Sequence, residues 1–132
     1  MSKNLTESQI HKAVCEYLRL QYPDIIFISD SSGLKTSIGV AKQLKSLRSC
    51  RGIPDLIILQ PNPPYYGLMI EVKRSRDEVY SKNGEIRKSA HIQEQCSILN
   101  HLLSVGYYAT FGCGLDDCIN IIDNYLQVKR LY

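Results

Sequence analysis

The fold turns on one stretch, "RGIPDLIILQPNPPYYGLMIEVKRSR" (Arg51–Arg76). Two apolar runs, at 54–59 and 67–73, flank PNPPYYG, a turn whose composition excludes helix. The runs read as strands, and the turn is short enough for them to pair as an antiparallel hairpin. Yet Asp55 opens the first strand, and Glu71 and Lys73 sit in the second. Residues two apart in a strand share a face, so Glu71 and Lys73 point together and Val72 points away. Antiparallel pairing then brings Asp55, near the start of one strand, to Glu71 and Lys73, near the end of the other.

Two carboxylates and an ammonium at one end of a sheet suit a hard cation. Mg2+ is typically held by one or two carboxylates, with water and substrate phosphate completing its shell. Like charges this close repel unless a cation lies between them. Lys73 offsets one of them but not both. The competing reading is a surface salt bridge from Glu71 to Lys73 or Arg74.

Outward from the hairpin, "TESQIHKAVCEYLRLQ" (Thr6–Gln21) has helical spacing of Ile10, Ala13, Val14, Tyr17 and Leu18, with Thr6 as N-cap and Pro23 beyond its end. "IIFIS" (25–29) reads as a short buried strand, 30–39 as a loop, and 40–49 as a short basic helix. The polar run "RSRDEVYSKNGEIRK" (74–88) reads as a mobile loop. A second amphipathic helix follows at 90–104, then Gly106, a strand at 107–111 and a closing helix at 115–128. The order is αβ(α)ββαβα: a small mixed β-sheet flanked by helices, an α/β layer architecture.

Two helical wheels add candidates to the site. At about 100° per residue, the apolar arc of the first helix runs through Leu20, Ala13, Tyr17, Ile10, Val14 and Leu18. Glu7 falls inside it, and Glu16 lies nearly opposite. The arc of the 90–104 helix includes Val105, Ile98, Leu102, Leu99, Ile92 and Leu103. Gln95 falls near its middle, and Gln93 outside. A polar side chain on an inward face needs a partner. A helix-start carboxylate at Glu7 and a satisfied core amide at Gln95 are the plain readings; together the two read as walls of the same polar site.

With 132 residues the chain is most simply one domain, 1–132, large enough to bury a core without disulfides or a structural metal. There are five cysteines and no CxxC, which points to free thiols in a reducing compartment. No apolar run approaches a membrane span, and "MSKNLTESQ" lacks a signal-peptide core, so a cytoplasmic protein is expected. Charge is uneven: residues 35–88 hold eleven of the sixteen Lys and Arg against five acids. Lys35, Lys42, Lys45, Arg48 and Arg51 form an acid-free run. That run suggests a polyanionic partner such as nucleic acid, or else a solvated helix face. No GxSxG is present, and His11, His91 and His101 lack metal-ligand spacing. His91 falls at a helix start, facing either the site or solvent. Tyr65, Tyr66 and Tyr80 suit an interface or base stacking as well as half-buried packing.

Pro54-Asp55 followed by Glu71-Val72-Lys73 resembles the signature of the PD-(D/E)xK nuclease superfamily. Together with "TESQIHKAVCEYLRLQYP" and "HIQEQCSILNHLLSVGYYATFGCGLDDCINIIDNYL", it resembles the stand-alone VRR-NUC (virus-type replication-repair nuclease) domains of phages and bacteria, over about residues 5–127. The chain departs from that pattern in the loop 74–89, which is longer and more charged. The resemblance implies a restriction-endonuclease-like core and a Mg2+- or Mn2+-dependent endonuclease on DNA, leaving 5′-phosphate and 3′-hydroxyl ends. Compact members resemble Holliday-junction resolvases and act as homodimers, so branched DNA and a second copy are the expected partners. Carried over by position, the site comprises Glu7, Asp55, Glu71, Lys73 and Gln95. The metal would be bound by Asp55, Glu71 and the Val72 carbonyl, with Glu7 acting directly or through water. Lys35, Lys42, Lys45, Arg48, Arg51 and Arg74 would contact DNA. A flap or nicking nuclease and a non-catalytic DNA-binding subunit are the alternatives.

Overall fold

The hairpin forms as the sequence predicts. In the computed structural model, which describes residues 4–30 and 37–127, β2 (Leu56–Ile58) pairs antiparallel with β3 (Leu68–Lys73), with Leu56 opposite Ile70 and Ile58 opposite Leu68. β1 (Phe27–Ser29) adds antiparallel to β2, and β4 (Tyr108–Cys113) pairs parallel with β3, giving a mixed sheet in the order β1-β2-β3-β4. The parallel pair needs a crossover; it is supplied by α3 (Ala90–Ser104). The other helices are α1 (Glu7–Gln21), α2 (Ile38–Ser46) and α4 (Leu115–Gln127).

The period of β3 sorts its residues between two layers. Leu68, Ile70 and Val72 join Ile10, Val14 and Leu18 of α1 and Cys118, Ile122 and Tyr125 of α4 in the larger core. Met69 packs on the other face, against Ile92 and Leu99 of α3 and Ala109 and Phe111 of β4. Glu71 and Lys73 share the Met69 side. Gly112, opposite Val72, lets α4 approach closely: a Cβ there would meet Cys118 Sγ at 2.5 Å and Ile70 Cγ2 at 2.8 Å.

α1 starts on a capping box. Thr6 Oγ1 accepts from the Gln9 backbone N–H, and Gln9 Oε1 accepts from the Thr6 N–H. Its buried residues are Ile10, Val14, Cys15 and Leu18, so the stripe is centred between Val14 and Leu18. Leu20 lies well off that line and is exposed, contrary to the predicted arc. Leu103 and Val105 are also half exposed; Val105 is the C-cap of α3 and has left helical register. The cysteines described are all free thiols, as expected.

Three further expectations need correction. β1 is an edge strand rather than a buried one: it pairs with β2 on one side only, and Ile28 is 53% exposed. α2 begins two residues earlier than expected, where Ser37 caps it through its hydroxyl to the Val40 N–H, and it buries no residue. Finally, 74–89 is an ordered arm. A 3-10 turn spans Arg76–Glu78, Tyr80 bridges to Ile86, and Val79, fully buried, plugs the smaller core. Three residues scattered through a polar run, Val79, Tyr80 and Ile86, pack the segment onto the smaller core, which is why composition alone reads as a mobile loop.

Candidate active site

Asp55 is held from two sides. The Asp30 N–H donates to the Asp55 carbonyl at 2.7 Å, extending the β1–β2 ladder. The Val72 N–H donates to Asp55 Oδ2 at 2.9 Å. Continuing the β2–β3 register by two residues puts Pro54 opposite Val72. Proline has no N–H, so it cannot donate to the Val72 carbonyl. In an extended strand a residue's N–H and C=O point to the same side, so the Val72 carbonyl is directed to the β2 edge, the side on which its N–H meets Asp55. The next carbonyl, of Lys73, points the other way and accepts from the Gly114 N–H at 2.8 Å.

Glu71, Lys73 and Gln95 are buried, with 5%, 4% and 6% of their surface exposed. Gln95 Nε2 donates to Glu71 Oε1 at 3.0 Å, so α3 fixes a β3 carboxylate. Burial leaves the surface salt-bridge reading of Glu71 without support. Arg74 instead pairs with Glu78 at 3.3 Å, and Lys73 makes no ion pair among the described residues. Burial pushes the Glu71 carboxyl well above the usual carboxylate range. The Asp55 charge and its hydrogen bond to Glu71 push it further, Lys73 opposes, and Glu7 adds a smaller rise. Two carboxyls sharing a hydrogen bond need a proton or a cation between them.

Glu7 lies on the centre line of the α1 stripe, one turn before Ile10, and is half-buried at the sheet end. Desolvation raises its carboxyl, Lys73 lowers it, and Glu78 and Asp55 raise it again. Glu16 is exposed, as the wheel requires, and so is Gln93. Glu7, Asp55, Glu71, Lys73 and Gln95 line one cavity of about 480 Å³. The five candidates therefore converge. Among the described residues, however, no three His, Cys, Asp or Glu side chains stand close enough to hold a metal together. Glu7 lines the same cavity as Asp55 and Glu71.

A Mg2+ or Mn2+ ion fits this donor set. Two carboxylates on adjacent strands, one strand carbonyl directed to the β2 edge and an otherwise open cavity match an ion that keeps several waters. Gln95 Oε1 is buried in the same cavity without a partner, an acceptor suited to an ion-bound water.

Of the second wall, His91 alone was named from the sequence, as facing either the site or solvent. The 74–89 arm contributes Asp77, Glu78 and Arg87, and the start of α3 contributes His91. Val79 and Ile86, apolar letters within a charged run, were the available signal that this arm packs back.

The basic residues are dispersed. Lys35 lies outside the described residues. Lys42 and Lys45 are exposed on α2. Arg48 pairs with Asp30 at 2.5 Å, and Arg51 with Glu94 of α3 at 3.5 Å. Arg74 is bound to Glu78. Tyr65 packs on Tyr108 and Tyr125, and Tyr80 lies under Arg76, so of the three tyrosines only Tyr66 is widely exposed.

Pro54-Asp55 at the start of β2 and Glu71-x-Lys73 at the end of β3, in a sheet of this order, define a restriction-endonuclease-like domain. A solved structure described as a VRR_NUC domain protein matches the chain with a TM-score of 0.63 and 25% identity, over 97% of this chain and 93% of that one. No family model matches the sequence, and no curated protein matches it significantly. The VRR-NUC resemblance read from the sequence is thereby borne out: the chain carries a VRR-NUC fold. No helix among the described residues is long and apolar enough to cross a membrane.

Proposed function

We propose that this nuclease-type domain is a divalent-metal-dependent endonuclease that cuts branched DNA as a homodimer, in the manner of a Holliday-junction resolvase. The observation that carries the reading is half-buried Asp55 and buried Glu71, the latter held by Gln95, lining one cavity with a buried Lys73. Asp55, Glu71 and the Val72 carbonyl hold the ion, and Glu7 acts on it through water. Bound Mg2+ or Mn2+ acidifies a water and neutralises charge on the phosphate. Lys73 positions that water, and its ammonium favours the hydroxide. Water adds to phosphorus, the bond from phosphorus to the 3′ oxygen breaks, and that oxygen takes up a proton. The products carry 5′-phosphate and 3′-hydroxyl ends.

Lys42 and Lys45 on α2, with Arg48 and Arg51 behind them, contact phosphates and give affinity without reading sequence. That suits recognition of DNA shape. A two-fold pair of sites cuts both strands of a junction symmetrically. The exposed Ile26 and Ile28 beside β1 and Ile38, Val40 and Leu47 around α2 offer apolar surface for the second copy.

The test is incubation with Mg2+ and four-way junction, flap, fork and linear duplex DNA. Paired symmetric nicks in the junction, with a dimer by light scattering, support the proposal. Cleavage of flaps or single nicks alone would replace the substrate. Binding without any cleavage would make this a DNA-binding subunit.

A further inference from the structure

Arg87, on the 74–89 arm, lines the same cavity as the β3 carboxylate Glu71. Its backbone is fixed at both ends: the N–H donates to the Val79 carbonyl at 2.7 Å, and its carbonyl accepts from Gln93 Nε2 at 2.9 Å. Its Nε–H donates to the Asp77 carbonyl, which sets the plane of the guanidinium. The arm's other arginines are occupied differently. Arg74 pairs with Glu78, and Arg76 stacks 4.4 Å from the centre of the Tyr80 ring. The nearby Asp77 carboxylate accepts from the Ser75 hydroxyl. No carboxylate among the described residues lies within ion-pair distance of Arg87, although its cavity holds five of them.

We infer that Arg87 binds a phosphate of the DNA strand in the cleft, next to the phosphate being cut. An anionic cavity repels a polyanion, and one bound ion can serve only the phosphate at the Asp55–Glu71 pair. A guanidinium oriented through Nε presents its two terminal nitrogens as a fork, the geometry that matches phosphate oxygens bidentately. Because the arm already holds Arg87, binding costs little side-chain entropy. This inference rests on the nuclease reading.

The experiment measures binding of a four-way junction by fluorescence anisotropy across a NaCl series, with Lys73→Met as the background so that the DNA stays intact. Adding Arg87→Ala should weaken binding roughly tenfold or more and lower the slope of log K against log salt by about 0.9, or about 0.7 where the contacted strand is single. Arg87→Lys should keep the slope. A structural role would instead lower the melting temperature and leave the slope alone. An unchanged slope in Arg87→Ala overturns the inference, whatever the parent enzyme cleaves. Failure of the parent to cleave any DNA, with a slope that still falls, overturns the nuclease reading and leaves the phosphate contact standing. Absence of binding overturns both.

Discussion

Gln95 on α3 and Glu71 on β3 meet at 3.0 Å across the smaller layer, both buried, with the amide nitrogen of Gln95 donating and its Oε1 left without a partner among the described residues. This bond couples the helix to the carboxylate that the chemistry needs. Partners that orient a ligand typically carry a factor of 10–100 in affinity or activity. Gln95→Ala should therefore lower cleavage by about that much and raise the Mg2+ concentration needed for half-maximal rate. Titrating Mg2+ against rate checks it. A variant with an unchanged Mg2+ dependence would reduce Gln95 to a core amide.

Lys73 is buried on the same face of β3 as Glu71 and has no ion pair among the described residues. A cation placed there for structure would sit on a carboxylate. Lys73→Met keeps the stem's packing and removes only the charge. Cleavage should fall by roughly 10²–10⁴-fold while junction binding persists. Single-turnover cleavage alongside anisotropy separates the two. Equal cleavage by the variant and its parent would sink the role assigned to Lys73.

The Asp55–Glu71 pair makes the metal-free protein sensitive to pH. The Glu71 carboxyl sits above its ordinary value of 4.5, first by burial and then by Asp55. The folded state thus holds a proton that the unfolded chain releases. That stabilisation is complete below pH 4.5 and is lost as the pH rises above it. In EDTA, the melting temperature should fall between pH 5 and 9, and added Mg2+ should restore it most at the alkaline end. Glu71→Gln should flatten the profile and raise the melting temperature at pH 8 by roughly 3–10 °C, while abolishing cleavage. A flat profile for the parent would show that the pair is not strained.

How much was legible in the sequence follows from which residues obey a period. Asp55, Glu71 and Lys73 were readable because a two-residue repeat and a short turn fix their face and end of the sheet. Glu7 and Gln95 were readable because each falls on the buried stripe of a 3.6-residue repeat. Arg87 and Glu78 obey neither period. Their place depends on how the arm folds back, and that hangs on Val79, Tyr80 and Ile86, which follow no period. β1 misled for a related reason: an apolar run does not say whether its strand lies inside the sheet or at its edge, and β1 lies at the edge.

Glu7 tests the first helix. It lies half-buried at the cavity edge, whereas Glu16 is exposed on the far side of α1. On the reading that Glu7 acts on the ion through water, Glu7→Gln should reduce cleavage roughly 10–100-fold rather than unfold the protein. Glu16→Gln should change nothing. Parallel rate measurements at saturating Mg2+ decide it, and the reverse ranking would mean that α1 presents its other face to the cavity.

The close approach of α4 to the sheet gives a stability prediction independent of the chemistry. Gly112 has no room for a methyl group: the added carbon would lie 2.5 Å from Cys118 Sγ and 2.8 Å from Ile70 Cγ2, both buried. Neither neighbour is the loose end of a long side chain, so the helix or the strand must shift. Overpacking of this kind costs about 1–3 kcal/mol, and Gly112→Ala should lower the melting temperature accordingly. Gly112 pairs with Val72, whose N–H donates to Asp55 Oδ2, so any shift of β3 is felt at the site. The variant should therefore also need more Mg2+, and Cys118→Ala, which clears the tighter of the two contacts, should restore part of both losses in the double variant. Thermal melting of the single and double variants measures the coupling, and strict additivity would show that α4 and β4 do not meet this closely.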